Sequence, residues 1–263
     1  MINVLREIDS LIEFLEAKKL PASINANRKL EDKFRQDMEA YFQKLEKAFP
    51  YHKLAELPVQ EVSPPKPIFN DGFLDDLLKA FTAELLYGVN SHMVAIYIVG
   101  SIQTMHYGAT KMGIPITYEG PPMEQAVKWA EKHCAEMVTK MEEETKTRLA
   151  NVISNSITNK DNLDQLSRQI KKEFDDMTKT RADMIAQTET NAALSKGSID
   201  RMHTMGIDGK EWVCVDDPCE DCQGNESDGI IPIDDDFSSG DSEPPGHPNC
   251  RCAIAPARLD RYD

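Results

Sequence analysis

Apolar residues along the first two thirds of the chain recur at steps of three and four, the signature of amphipathic helices. Leu5, Ile8, Ile12 and Leu15 form one stripe, closed near Pro21; Leu30, Phe34, Met38, Tyr41, Leu45 and Phe49 form a second, which stops at Pro50. Together they predict an N-terminal helical hairpin over residues 1–50. Residues 51–70 hold four prolines and no sustained period, so they read as a linker or an extended arm. Leu74, Leu77, Leu78, Phe81 and Leu85 mark the inner face of the next helix. Residues 91–112 are apolar but interrupted by Gly100 and Gly108. A packed helix is the reading and a buried strand its rival, because periodicity does not separate the two in a short apolar run. The GIPITYEGPP segment ending at Pro122 reads as a loop.

The longest helix follows, on the line Val127, Ala130, Cys134, Met137 and Met141, extended by Leu149 and Val152. Cys134 lies on this stripe and is read as a small buried hydrophobe; His133 points to another face. Asp161 or Asn162 can cap a further helix with Leu163, Leu166, Ile170 and Phe174 inside. Thr178 or Thr180 can start one more, running to about Met205 and stopped by Gly206. Residues 71–177 therefore read as a helical region. After Gly206 the pattern changes. Eleven acidic residues and no Lys or Arg fall between Asp216 and Glu243. Short apolar pieces at Trp212–Val215, Ile230–Ile233 and Cys252–Ala255 read as short strands in a loop-rich unit too small to hold itself without a staple. The expected fold class is mainly α, with a small C-terminal α+β unit that is cysteine-rich and zinc-stapled.

Composition sharpens this picture. Acids outnumber bases 45 to 30, for a net charge of -15. A protein that wraps duplex DNA needs clustered Lys and Arg, so the balance does not support DNA contact. Charges interrupt the N-terminus every few residues, unlike a signal peptide. The longest unbroken apolar run, Met93–Val99, falls well short of the ~18 residues of a membrane span. A soluble protein made in a cytoplasm, with no membrane partner, is expected.

Five of the six cysteines, Cys214, Cys219, Cys222, Cys250 and Cys252, crowd the C-terminal part; Cys134 stands apart. Without a secretion signal such a cluster points to a metal before disulfides. Cys219 and Cys222 form a CxxC pair, and 25 residues on comes His247-Pro248-Asn249-Cys250-Arg251-Cys252. Two short loops thus offer soft donors that suit tetrahedral zinc. The preferred set is Cys219, Cys222, His247 and Cys250. Cys252 is the alternative fourth ligand, since residues i and i+2 of an extended strand share a face. A four-ligand site leaves no place for water, so the zinc is expected to be structural. Disulfides are the bland rival. Cys214 reads as strand packing, and Asp234, Asp235 and Asp236 as a solvated acidic loop, because they lack the glycine and distal glutamate of a calcium loop.

The last third resembles the Mu F-like phage head morphogenesis, or minor head protein, family. The likeness rests on Arg181-Ala182, then Ala186-Gln187-Thr188-Glu189-Thr190, Gly197, Trp212, Asp216-Asp217, Cys219 and Cys222. It closes with Pro244-Pro245-Gly246-His247-Pro248-Asn249-Cys250-Arg251-Cys252. It covers roughly residues 120–257, and makes residues 178–257 a Mu F-like region followed by a 258–263 tail. Gln187 stands where the family usually has arginine, which puts charge pairing there in doubt. The resemblance implies a low-copy structural or assembly component of the procapsid. Its implied partners are the portal and the major capsid or scaffold protein, and it is made in the host bacterial cytoplasm and destined for the virion head.

Thr188 and Glu189 fall mid-helix. Glu189 is expected to pair with Arg181 or another base, or to reach the metal unit's loops, because a buried unpaired carboxylate is costly. One reading has this helix dock on the metal unit, with Glu189 and Arg251 clamping the contact. The enzyme alternative is a zinc-stapled His-Asn-His type nuclease. It needs a general-base histidine beside a catalytic metal, and His247 is more readily a ligand. A deaminase is disfavoured, because none of the six histidines has Glu two residues on.

Overall fold

The computed structural model describes residues 24–56, 72–114, 122–215 and 217–259. The expected first stripe, Leu5 to Leu15, lies outside them, as do residues 57–70 of the proline-rich stretch, most of the 113–122 loop, Asp216 and residues 260–263 of the expected tail. The elements in order are α1 (Ile24–Ala48), a 3-10 turn (Tyr51–Glu56), α2 (Gly72–Lys111), α3 (Met123–Thr158), α4 (Leu163–Asp176), a π turn (Met177–Arg181), α5 (Ala182–Thr204), β1 (Gly209–Val213), α6 (Glu220–Ser227), β2 (Ile230–Pro232) and β3 (Ala253–Ala257). The described fold is thus mainly helical, with one small antiparallel sheet ordered β2-β1-β3 near the C-terminus. The chain divides into two compact units: residues 1–35, 90–131 and 184–263, and residues 36–89 and 132–183.

The second of these units is helical. Met38, Tyr41, Phe42 and Leu45 of α1 are buried, as are Leu74, Leu77, Leu78 and Leu85 of α2. Polar ties join neighbouring helices at the rim: Lys44 with Glu84, Thr82 with Glu142, and Lys146 with Asp75 at 2.6 Å. Arg148 bridges to Glu173 and Asp176 on α4. Asn162 caps α4, its side chain accepting from the Gln165 amide at 2.9 Å while the Gln165 side chain accepts from the Asn162 amide at 2.8 Å. Replacing Asn162 with alanine removes half of this reciprocal box and is expected to cost about 1 kcal/mol, read as a lower thermal midpoint.

Several details differ from the sequence reading. The start of the proline-rich stretch is a 3-10 turn whose Leu54 is buried. The segments around Leu74–Leu85 and 91–112 are one forty-residue helix. The buried line of α3 runs Ala126, Ala130, Cys134, Met137, Met141, Leu149 and Ile153, while Val127 is exposed. A period of 3.6 drifts from any fixed spacing over about ten turns, so the ends of a long stripe shift by one residue. Leu163 is exposed beside buried Leu166, Ile170 and Phe174. Neither Thr178 nor Thr180 starts a helix. From residue 163 to 196 there is neither proline nor glycine, and the chain passes from α4 through the π turn into α5 without a break. Gly206, at φ +67°, does end α5, as expected. By length and composition α2 is apolar enough to cross a membrane, although no unbroken apolar run reaches that length, and 56% of its most apolar stretch is buried inside the protein.

In the first unit α2 and α5 cross with backbones almost touching. A Cβ on Gly197 would lie 2.0 Å from the Tyr97 carbonyl oxygen, and one on Gly100 would lie 2.2 Å from that of Leu194. Glycine in a helix interior costs roughly 1 kcal/mol, and here the close approach explains its place. Tyr97 also donates from its hydroxyl to Asp200 and lies 5.7 Å from the Trp129 ring. Below the crossing, Ile199, Met202 and Ile207 join Trp212, Ile233, Phe237, Ile254 and three cysteines in one hydrophobic cluster.

Candidate metal centre

Cys219 occupies the N-cap of α6, in extended conformation, and its sulfur accepts from the Cys222 amide at 3.4 Å. The CxxC spacing therefore works by placing one sulfur at the cap and the other one turn into the helix. Positive partial charge at a helix N-terminus favours thiolates. The second loop turns tightly: the Cys250 amide donates to the His247 carbonyl at 3.1 Å, and Asn249 adopts φ +63°. Asn tolerates that left-handed conformation better than most residues. The turn brings His247 and Cys250 to the same side.

Three donor distances match the edges of a tetrahedral site. His247 Nε2 lies 3.3 Å from Cys219 Sγ and 3.5 Å from Cys222 Sγ, and Cys250 Sγ lies 3.8 Å from Cys222 Sγ. A tetrahedral zinc with ordinary bond lengths sets its ligands about 3.6 Å apart for N–S and about 3.8 Å for S–S edges. His247 Nδ1 lies 2.9 Å from the Pro248 carbonyl. An N–H there donates to the carbonyl, fixes the tautomer and leaves the Nε2 lone pair facing the sulfurs. With one nitrogen tied and the other against thiols, His247 has no nitrogen placed to serve as a general base. All six cysteines are free thiols.

The donors form two triads, Cys219–Cys222–His247 and Cys222–Cys250–Cys252, with the ligand atoms of each within 4.8 Å of one another. Cys222 belongs to both. Cys219 and His247 are exposed, while Cys222, Cys250 and Cys252 are buried. Burial, and then the crowding of Cys219, Cys252 and Cys250, pushes the Cys222 thiol well above its ordinary pKa. Burial likewise lifts Cys214 to about 12. Cys252 departs from this. Burial opposes its thiolate, but the Trp212 indole, the Val215 backbone and the Cys222 and Cys214 thiols outweigh that, and its pKa falls. The buried Trp212 indole N–H has no hydrogen-bond partner. A crowd of buried thiols and one oriented imidazole is a donor set that a cation would relieve.

Helix α5 holds the second loop. Asn191 Nδ2 donates to the carbonyls of Cys250 at 2.9 Å and Cys252 at 3.1 Å. The Asn249 amide donates to Thr188 Oγ1 at 3.0 Å, and Gln187 Nε2 donates to the Asn249 carbonyl. Arg251 does clamp the contact, but through Gln187 Oε1 at 2.8 Å and both carboxylate oxygens of Glu31, at 3.0 and 3.2 Å, where Glu189 was expected. The amide at position 187 thus accepts from one group and donates to another, which an arginine cannot do.

Arg181 is no partner of Glu189. It is buried, donating to Thr145 Oγ1 at 2.8 Å, to the Met141 carbonyl at 3.2 Å and to Glu144 at 3.0 Å, with its guanidinium 5.5 Å from the Phe42 ring. Glu189 is half-buried. Trp212 is 2% exposed and packs edge-on against Phe237 at 5.2 Å. Sequence reasoning missed Asn191 and Glu31; the available signal was the i, i+4 pair of amides at Gln187 and Asn191 on one helix face. Asn191→Ala should strip two carbonyls of their donor and lower stability by about 2 kcal/mol, measured by chemical denaturation.

Compared with known proteins, residues 147–255 match the family model described as Phage Mu protein F like protein. This stretch of the chain is Mu F-like. The Mu F-like region begins within α3, later than the expected residue 120, and takes in α4, α5 and the whole donor cluster. It points to a structural protein of phage head morphogenesis, and to a place in the virion head or its assembly. No curated protein and no solved structure matches the chain.

Proposed function

We propose that this protein is a phage minor head protein, a low-copy structural component that joins the procapsid through the portal or the inner capsid, and that its C-terminal unit is folded around one structural zinc. The observation that carries the reading is the coincidence of the Mu F-like span with two triads of soft donors that share Cys222. Cys219, Cys222, His247 and Cys250 hold the zinc. Cys250 takes the fourth place because its sulfur lies one tetrahedral edge from Cys222. Bound there, zinc supplies cross-linking of two loops and no reaction chemistry. Gln187, Thr188 and Asn191 orient the loop, and loss of such outer contacts typically weakens metal binding by about 10- to 100-fold.

Two experiments test the two halves of this reading. Co-expression with the portal protein of the same phage should give a complex that survives size exclusion; separate elution rejects the portal association. Elemental analysis of the purified full chain should give one zinc per molecule, and its absence from protein purified without chelators rejects the staple.

A further inference from the structure

We propose that the outer face of the β2-β1-β3 sheet is a docking surface for a lysine- or arginine-bearing, apolar segment of another protein. The register puts Gly209, Glu211 and Val213 of β1 on one face with Ile230 and Pro232 of β2 and with Ala253, Ala255 and Ala257 of β3. The opposite face, with Lys210, Trp212, Ile254 and Pro256, is buried; Trp212 and Ile254 share the hydrophobic cluster with Ile199 and Met202 of α5. Half of the outer face is exposed: Val213 is 40% exposed and Ile230 47%, with Pro232, Ala253 and neighbouring Val215 also exposed, while Glu211 and Ala255 are half-buried and Gly209 and Ala257 buried. A small antiparallel sheet normally shows water a polar outer face. Here Glu211 is the only polar side chain on it, and contiguous exposed apolar surface marks an interaction site.

Charge selects the occupant. Exposed Asp217, Asp228 and Asp234 each stand two residues beyond an exposed apolar position of the patch. The three Lys and Arg residues between 206 and 259 are all committed elsewhere: Lys210 to the Ser242 carbonyl, Arg251 to Glu31 and Gln187, and Arg258 to the Met112 carbonyl. The patch therefore mixes exposed apolar side chains with acids, Glu211 on the central strand and Asp217, Asp228 and Asp234 next to its exposed positions in sequence. That combination repels nucleic acid, an anionic membrane and a second copy of this chain, and it complements an apolar strip flanked by cations.

The test uses the full chain and two dye-labelled synthetic peptides, one alternating lysine with valine and one alternating glutamate with valine, followed by fluorescence anisotropy. The lysine peptide is expected to bind and the glutamate peptide not. Ile230→Asp should weaken binding at least tenfold even though it makes the protein more negative, and the double variant Val213→Ser/Ile230→Ser should weaken it similarly with charge unchanged. Equal or tighter binding by these variants would mean attraction to net charge alone and overturns the proposal. So does failure of the lysine peptide to bind, or self-association of the unmodified chain that Ile230→Asp abolishes. Anisotropy on the unaltered, metal-replete chain is read separately from zinc content and portal co-elution, so this proposal can fail while the proposed function stands.

Discussion

Cys222→Ser protein is expected to carry less than a tenth of the zinc of the unaltered chain and to lose the fold of residues 209–257, while the helices keep most of their far-ultraviolet ellipticity. Cys222 is the one donor common to both triads, so its loss disables either choice of fourth ligand. The size of the effect follows from the binding energy at stake. Structural zinc contributes roughly 10–16 kcal/mol of apparent free energy at neutral pH, while the sheet it braces has strands of only five, three and five residues. Zinc analysis together with near-ultraviolet circular dichroism of the two tryptophans, one of them buried Trp212, reads both losses. Cys250→Ser should behave like Cys222→Ser, and Cys252→Ser should keep its zinc; the reverse order would move the fourth ligand to Cys252. Because thiolates and a neutral imidazole bind the ion, protons compete for the same sites. Acid should therefore release zinc and unfold this unit before the helices.

Gly197→Val is expected to be the most damaging substitution outside the metal centre. Its first added atom would meet the Tyr97 carbonyl at 2.0 Å, and a backbone oxygen in a helix cannot swing away as a flexible side chain can. The helices must part, which uncovers the Tyr97–Trp129 contact and the Ser198 hydroxyl that donates to the Gly100 carbonyl at 3.4 Å. Overpacking usually costs 1–3 kcal/mol and sometimes more; with rigid backbone on both sides and a β-branched residue, about 3 kcal/mol or more is expected. Gly197→Ala should lie below Gly197→Val in cost but still lower the thermal midpoint. Equal midpoints for all three proteins would refute the close crossing.

The helices were legible where amphipathic stripes were short and bounded by proline or a cap. Leu166, Ile170 and Phe174 after Asn162 are the clear case, and Leu30 to Phe49 before Pro50 another. Continuity was not legible. The junction at residues 177–181 looked like a start because Thr178 and Thr180 can cap, but a cap is needed only where a helix has already ended, and nothing in that stretch ends one. The donor residues could be named from spacing, since CxxC and HxxC are local patterns whose geometry the chain sets by itself. Which outer residues hold them was not, because Glu31, Gln187 and Asn191 reach the second loop across 220, 64 and 59 residues of sequence. Arg251 does meet a carboxylate, but that of Glu31, far away in the sequence, and it shares the contact with the neutral Gln187 amide, which can both give and receive.

Neither unit is one continuous stretch of chain, and this dictates an order of completion during synthesis. Residues 36–89 and 132–183 are all outside the ribosome while the last strand is still being translated, so that helical unit can settle first. The glycine-faced part of α2 must wait for α5, and Cys219 and Cys222 must wait for the loop that carries His247. If the donors do take a metal, its capture has to wait for the loop of His247 and Cys250, and a polypeptide cut short before residue 250 would carry Cys219 and Cys222 as an open pair of thiols.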